Sequence, residues 1–407
     1  MKVAVVGAGV IGLATACELA RRGVEVSLIG DRPAGAGASS SNAGWICPAL
    51  AGPVPGPGLI PRAARWMLRP DSPVYVRPSL EPAFLAFLWR MARACNARSH
   101  AAGFAATAAL GAGTREAFDR WAADGLAFEM HETGVIEVFR DPAELRHAVS
   151  GPSRPVVLSG AEARVRIPAL SAEVVGAVLH PDERSVDPRS LVAALKRRIG
   201  ELGVASIHGA VTAARVEQGG RVTLAGVFGE LDADAVIVAA GAWTGRVAAL
   251  FGASLPVRPG KGYSLDFPAG AGPVALPMPV MLAEPHCVLT PLDGGLRLAG
   301  TMEFGGFDER VSATRVRAIR RAPTRYLTGW RADAPSAAPV AGLRPMTPDG
   351  LPIIGRLGAA PSVVIASGHA MLGLTLAPRT AELVADILVE GADPPVLRPF
   401  SPARFGA

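Results

Sequence analysis

The sequence predicts an α/β fold in which a parallel-sheet domain is interrupted by inserted α+β segments, and three observations carry that reading. Residues 2 to 31 read as strand, glycine turn, helix and strand. The run Ala235-Val-Ile-Val-Ala-Ala240 is continuously apolar, the composition of a strand covered on both faces of a parallel sheet. Strand-then-helix order returns at Val363 to Leu388 after stretches of mixed character. With 407 residues, 50% of them hydrophobic and 19% charged, the chain is long and apolar enough to bury two packed cores.

Each element has a local cause. Val3 to Val6 is an apolar strand, Val10 to Arg22 repeats as a buried helix, and Gly23 ends that helix before Val24 to Ile29. Nine prolines between Pro48 and Pro82 disfavour regular structure, so an irregular excursion is expected there, a candidate lid over a ligand site. Phe84 to Gly125 is helical in pattern, and Gly134-Val-Ile-Glu-Val-Phe139 alternates like a strand. Asp187-Pro188 is a helix start, the carboxylate accepting from unpaired N–H groups and the proline suiting the first helical position. Gly203 marks the stop after Leu202. Strands are expected over Ala205 to Val216 and Arg221 to Val227. Residues 256 to 334, strand-like and punctuated by Pro and Gly, read as a second piece of the insertion.

Composition excludes several classes of function. The net charge of +6 comes from 41 basic residues of which only Lys2, Lys196 and Lys261 are lysines; the longest basic run is Lys196-Arg197-Arg198, so no nucleic-acid partner is expected. Cys17, Cys47, Cys95 and Cys287 are far apart and have no His at metal-ligand spacing, so no metal is expected. Nothing ahead of Val3 resembles a secretory leader, and a cytoplasmic location with reduced thiols is expected. The apolar run Phe84-Leu-Ala-Phe-Leu-Trp89 is far too short to span a bilayer. It is either the buried side of a helix or a plateau for peripheral contact with the inner face of the cell membrane.

The chemistry-bearing motifs begin with Gly7-Ala8-Gly9-Val10-Ile11-Gly12, directly after a strand and opening a helix. There glycines admit a pyrophosphate and the helix start supplies N–H donors and a positive dipole. The ribose-binding acid normally ends the second strand; here Gly30 stands at that end, and Asp31, followed by Arg32, is the candidate. NAD and FAD use this turn alike, so the later motifs decide between them.

Those motifs are Ala38-Ser-Ser-Ser-Asn-Ala-Gly-Trp-Ile-Cys-Pro48, Ala239-Ala-Gly-Ala-Trp243, Lys261-Gly-Tyr-Ser-Leu265, Gly342-Leu-Arg-Pro-Met-Thr-Pro-Asp-Gly350 and Gly368-His-Ala-Met-Leu-Gly-Leu-Thr-Leu-Ala-Pro378. Together they resemble the D-amino acid oxidase and glycine oxidase superfamily of FAD-dependent oxidoreductases, with the nearest likeness to its bacterial D-amino acid dehydrogenase branch. The resemblance runs from Met1 to about Glu390. It implies an FAD-binding Rossmann-like (glutathione reductase type) domain with an inserted α+β substrate domain. The expected division is 1–83, 150–255 and 335–407 for the first and 84–149 and 256–334 for the second.

The same resemblance implies the site. Ser39, Ser40, Asn42, Ala43 and Gly44 would line the pyrophosphate and flavin, Val211 the adenine side, and Ala240, Gly241 and Trp243 the cofactor. Gly368, Met371, Leu372, Gly373, Leu374 and Thr375 would form the turn facing the flavin, with Thr375 on its edge. Arg344 would grip a substrate carboxylate with its guanidinium fork, assisted by Tyr263. Lys261 reads either as a charge near the flavin or as a structural lysine, and His369 as a flavin-turn residue with a catalytic or a structural role.

The implied reaction is oxidative deamination of a small amino acid or cyclic imino acid by hydride transfer to non-covalent FAD, with electrons passed to a quinone or protein acceptor. An oxygen-using oxidase, or a flavin-bearing subunit of a larger complex, stays open as the alternative.

Overall fold

The computed structural model describes residues 1–407 apart from 34, 68, 70, 150–154 and 392, so the expected boundary at residue 150 lies outside the described residues. Among the described residues the strands form two large sheets, of six and nine strands, and two small sheets of three.

In the six-stranded sheet Lys2–Val6 is flanked by Glu25–Gly30 and Ala235–Val238. Ala205–His208 extends one side in parallel and Ala360–Ser367 the other, and antiparallel Ile353–Leu357 forms the edge. The apolar run at 235–238 is explained by two coverings. Ala235 and Ile237 enter a core with Leu13, Leu191 and Leu376 from the helices Val10–Arg21, Pro188–Glu201 and Gly373–Val389. Val236 and Val238 enter another with Leu224 and Phe251. Asp187 caps its helix as its position suggests, its carboxylate accepting from Arg189 N and Ser190 N.

Several expectations are corrected. The strand expected over 205–216 is two: at Gly209, φ 146°, the chain leaves the parallel sheet, and Val211–Val216 starts an antiparallel three-stranded sheet with Val222–Gly226 and Gly229–Ala233. The proline-rich excursion contains a helix, Leu59–Met67, which tolerates Pro61 in its first turn. It also contains a strand, Val74–Val76, paired with Met302–Phe304. The domain division follows the cores differently. Leu110 and Phe118, from the helices Ala97–Gly111 and Thr114–Ala123, are buried with Leu13 and Leu376 in the core of the six-stranded sheet. Conversely, Val156–Ser159, Gly176–His180 and Val340–Met346 belong to the nine-stranded sheet, whose central strands are Arg258–Pro268, Gly295–Phe304 and Cys287–Leu292.

One buried side chain joins the nine-stranded sheet to the loop after the second parallel strand. Arg297, 1% exposed, donates to Asp266 through Nε at 2.7 Å and Nη2 at 3.1 Å, and its Nη1 donates to the carbonyls of Ser40 at 3.1 Å and Asn42 at 2.8 Å. Thr290 of the same sheet donates to the Ala43 carbonyl at 2.7 Å and accepts from Trp45 Nε1 at 3.0 Å. Burial alone would raise the Asp266 carboxyl; the hydrogen bonds and charge of Arg297, helped by Arg189, outweigh it and hold it below the usual aspartate range.

A carboxyl depressed in the folded state contributes stability that is present above its unfolded pKa and lost as pH falls through the folded one. Equilibrium urea unfolding of the wild type should therefore show stability falling on acidification through and below the normal aspartate range. Arg297→Ala should cost about 3–5 kcal/mol at neutral pH and flatten that dependence.

Candidate cofactor and substrate site

The carboxyl ends of Lys2–Val6, Glu25–Gly30 and Ala235–Val238 open on a cleft of about 400 Å³, the position at which parallel sheets bind ligands. Its floor is the glycine turn. Gly7 has φ 118°, and a Cβ there would lie 2.3 Å from the Ala239 carbonyl; a Cβ on Gly12 would lie 1.8 Å from the Gly7 carbonyl. The helix therefore starts flush against the strand only because both residues are glycine. Gly9 caps this helix without a side-chain acceptor, and its first turn has no acidic residue. The same is true of the helix Gly373–Val389, which starts at the cleft with Leu372 as its cap. Two positive helix ends with no acidic residue in their first turns thus serve one cleft.

Of the expected cofactor contacts, Gly7, Ala8, Gly9, Val10 and Ile11 line the cleft, as do Asp31, Arg32, Ser39, Asn42 and Val211. Ala240, Gly241, Trp243, Gly373 and Leu374 line it too. Ser39 Oγ accepts from Val10 N at 3.0 Å, tying the serine loop to the helix start. Arg32 stacks over the Trp243 ring at 4.5 Å and donates to both oxygens of Glu309, at 2.8 and 2.5 Å. Glu309 lines the cleft and was not singled out in the sequence, where it is one acid in the charged run Asp308-Glu309-Arg310. The proline-rich excursion 48–82 supplies none of this lining among the described residues.

Other expected residues stand just outside this lining. Gly12, Gly368, Met371 and Leu372 frame it: Gly368 takes φ 77°, and the Met371 carbonyl accepts from Asn42 Nδ2 at 3.5 Å. Ser40 donates its hydroxyl to the Gly35 carbonyl at 2.6 Å, so it closes its own turn instead of offering that proton to phosphate. The Ala43 carbonyl is taken by Thr290, and a Cβ on Gly44 would lie 2.3 Å from the Val186 carbonyl, so these two dock the loop on neighbouring strands. Thr375 donates to the Trp45 carbonyl at 3.1 Å and accepts from Cys47 N at 3.3 Å; its hydroxyl holds that segment, contrary to the edge contact expected of it.

His369 lines the cleft, is 2% exposed, and pairs Nε2 with Thr380 Oγ1 at 3.0 Å, while its buried Nδ1 has no partner. Burial pulls its pKa down to about 3. The ring is neutral at physiological pH, which suits a ligand-facing hydrogen-bonding group and not an acid or base working near neutrality.

Arg344 lies on the strand Val340–Met346, between cleft-lining Leu343 and Pro345. Its guanidinium runs over Gly262, where a Cβ would sit 2.2 Å from both terminal nitrogens. Nη1 donates to the Thr301 carbonyl at 2.8 Å, and no carboxylate pairs with Arg344 among the described residues. Burial lowers its pKa to about 10, so it stays charged at neutral pH. This face of the sheet is the one turned to the serine loop: a Cβ on Gly342 would lie 2.2 Å from Ser41 Oγ.

Lys261 and Tyr263 do not join Arg344. Side chains alternate along a strand, so while Gly260 and Gly262 underlie Arg344 and Met302, their odd-numbered neighbours point to the opposite face. There Tyr263 Oη donates to Glu303 at 2.8 Å and Lys261 Nζ lies 3.4 Å from the same carboxylate.

Residues 2–387 match the family model described as FAD dependent oxidoreductase. The chain belongs to that family. This flavoprotein is 32% identical over 424 residues to D-amino acid dehydrogenase of Cereibacter sphaeroides, covering 99% of this chain and 97% of that one. It is 33% identical over 403 residues to D-amino acid dehydrogenase 2 of Pseudomonas aeruginosa, covering 97% and 96%. Among solved structures it resembles glycine oxidase from Geobacillus kaustophilus, with TM-score 0.73 and 28% identity over 99% of this chain and 98% of that one.

The cleft fits the family's cofactor, FAD. A glycine floor that no Cβ could occupy, two helix starts without acidic residues and an unpartnered buried imidazole nitrogen are what a long anionic dinucleotide with an amide-rich ring would use. In this flavoprotein Gly12→Ala should purify almost colourless. Flavin absorbance per protein, read after gel filtration with and without added FAD, checks it; a variant that keeps full flavin would contradict the assigned floor.

Proposed function

We propose that the chain oxidatively deaminates a small amino acid, of D configuration as its curated relatives' names indicate, and passes the electrons to a quinone or other acceptor. The observation that carries this reading is Arg344. A half-buried guanidinium with one carbonyl partner and no counter-ion among the described residues favours an anion that completes it, and a substrate carboxylate does so with two parallel hydrogen bonds.

When bound, FAD would supply the hydride acceptor for the substrate carbon that bears nitrogen. The chain's own part is positioning. Arg344 holds the carboxylate, Gly262 lets the guanidinium lie low on the sheet, and neutral His369 keeps a proton-bearing ring at the cleft wall without competing charge. We propose Gly7 to Gly12, Ser39, Asn42 and Trp243 as the cofactor's holders, with Asp31 at the ribose end. The nine-stranded sheet carries the substrate side.

Anaerobic mixing with a panel of D- and L-amino acids should bleach the flavin with one class only. Arg344→Ala should raise KM for that class about tenfold to a hundredfold, the worth of a charged hydrogen-bond pair; an unchanged KM would remove Arg344 from the site. The likeness to a glycine oxidase favours one second reading, direct reaction with oxygen, and stoichiometric peroxide in air would establish it.

Acceptor access has its own surface. No helix among the described residues is long and apolar enough to cross a membrane. Within the helix Pro82–Ala94, Phe84 and Phe87, at 8% and 1% exposure, are buried with Met302, Phe304 and Met346. Phe84 and Phe87 of the apolar run are therefore core and form no plateau. Leu80, Leu85 and Trp89 instead stand 91%, 47% and 59% exposed, with Arg93 against the Trp89 ring at 4.8 Å. Apolar residues beside an arginine suit an anionic lipid surface. Leu85→Asp with Trp89→Asp should abolish cosedimentation with vesicles containing phosphatidylglycerol; undiminished binding would rule this face out.

A further inference from the structure

We propose that Lys261, Glu303 and Tyr263 form a positioning device that sets the Arg344 guanidinium from the opposite side of the sheet. It rests on Arg344 as the carboxylate-binding residue.

The ladder between Arg258–Pro268 and Gly295–Phe304 slips at one point. Tyr263 faces Gly300 and Lys261 faces Glu303, so Gly262 on one strand is opposed by both Thr301 and Met302 on the other. Such a bulge re-aims the groups within it. Thr301 takes φ 70°, a left-handed conformation that a β-branched residue adopts only when its surroundings enforce it. The consequence is local and specific: the Thr301 carbonyl meets Arg344 Nη1 at 2.8 Å.

What enforces the bulge lies underneath. The residues that bracket Gly262, Lys261 and Tyr263, both engage the single carboxylate of Glu303. Tyr263 donates at 2.8 Å, and Lys261 stands at 3.4 Å while also donating to the Arg310 carbonyl at 3.1 Å. Lys261 is 3% exposed and Tyr263 1%, so these bonds have little competition from water. Removing the bulge would move Glu303 out of reach of one partner or the other. Burial and the adjacent carboxylate push the Tyr263 phenol up, keeping it a donor. Above, the guanidinium is fixed from two directions, by Gly262 beneath and the Thr301 carbonyl at one edge, and its other N–H groups are left for a carboxylate.

Tyr263→Phe and Glu303→Gln test this, each alone and combined with Arg344→Ala. Tyr263→Phe keeps the ring and removes one donor, so it carries the test even if Glu303→Gln fails to fold. Each should raise KM for the amino acid about tenfold with kcat within about twofold of wild type. Each should weaken inhibition by propionate in proportion, and leave flavin content unchanged. In the Arg344→Ala background neither should raise KM further, since the group they position is gone. Wild-type KM in both single variants, or increases that simply multiply with that of Arg344→Ala, would overturn the proposal while leaving Arg344 in place. An unchanged KM in Arg344→Ala would instead overturn the reading on which it rests.

Discussion

The arrangement depends on a buried arginine that never touches the cleft. Arg297 binds Asp266 within the nine-stranded sheet and two carbonyls of the serine loop outside it. A guanidinium withdrawn from water tolerates little displacement, because each lost bond leaves a charged donor unsatisfied. The loop that follows the second parallel strand is thereby held against the sheet that carries Arg344. The serine loop and that sheet share a reference point, and the distance between them is set by short, directional bonds.

The strand Arg258–Pro268 divides labour by its pleat. One face is pared down to Gly260 and Gly262, giving Arg344 and Met302 room to lie against the backbone; the other packs Lys261, Tyr263, Leu265 and Phe267 into the sheet's own core. A period of two is enough to separate chemistry from its support. It also explains why a motif that reads as one functional unit, Lys261-Gly-Tyr-Ser, distributes its members to opposite sides.

How much was legible follows from which signals are local. The glycine turn, the doubly covered strand at 235–238 and the Asp187 cap are written in adjacent residues, and each stands where its pattern puts it. The motif around Arg344 is what singles it out, and the strand sets it between cleft-lining Leu343 and Pro345. The face taken by Lys261 and Tyr263 was not, since it depends on the register against a distant strand and on a one-residue slip that no local pattern marks. Arg297, flanked by Leu296 and Leu298, has the alternation of a solvent-facing position; only the loop 38–42 folding over that face makes it interior. The excursion at 48–82 was misread because prolines forbid less than their number suggests once one falls in a helix's first turn.

The two helices that start at the cleft without acidic residues have a consequence for the life of the chain in the cell. Helix starts to which the protein brings no negative charge make the native state a partner for an anion that the unfolded chain cannot hold. Mass action then ties survival to supply, adding about 4 kcal/mol where free FAD stands a thousandfold above its dissociation constant. Where FAD is scarce, newly made chains would lose that margin first and be the ones presented to proteases.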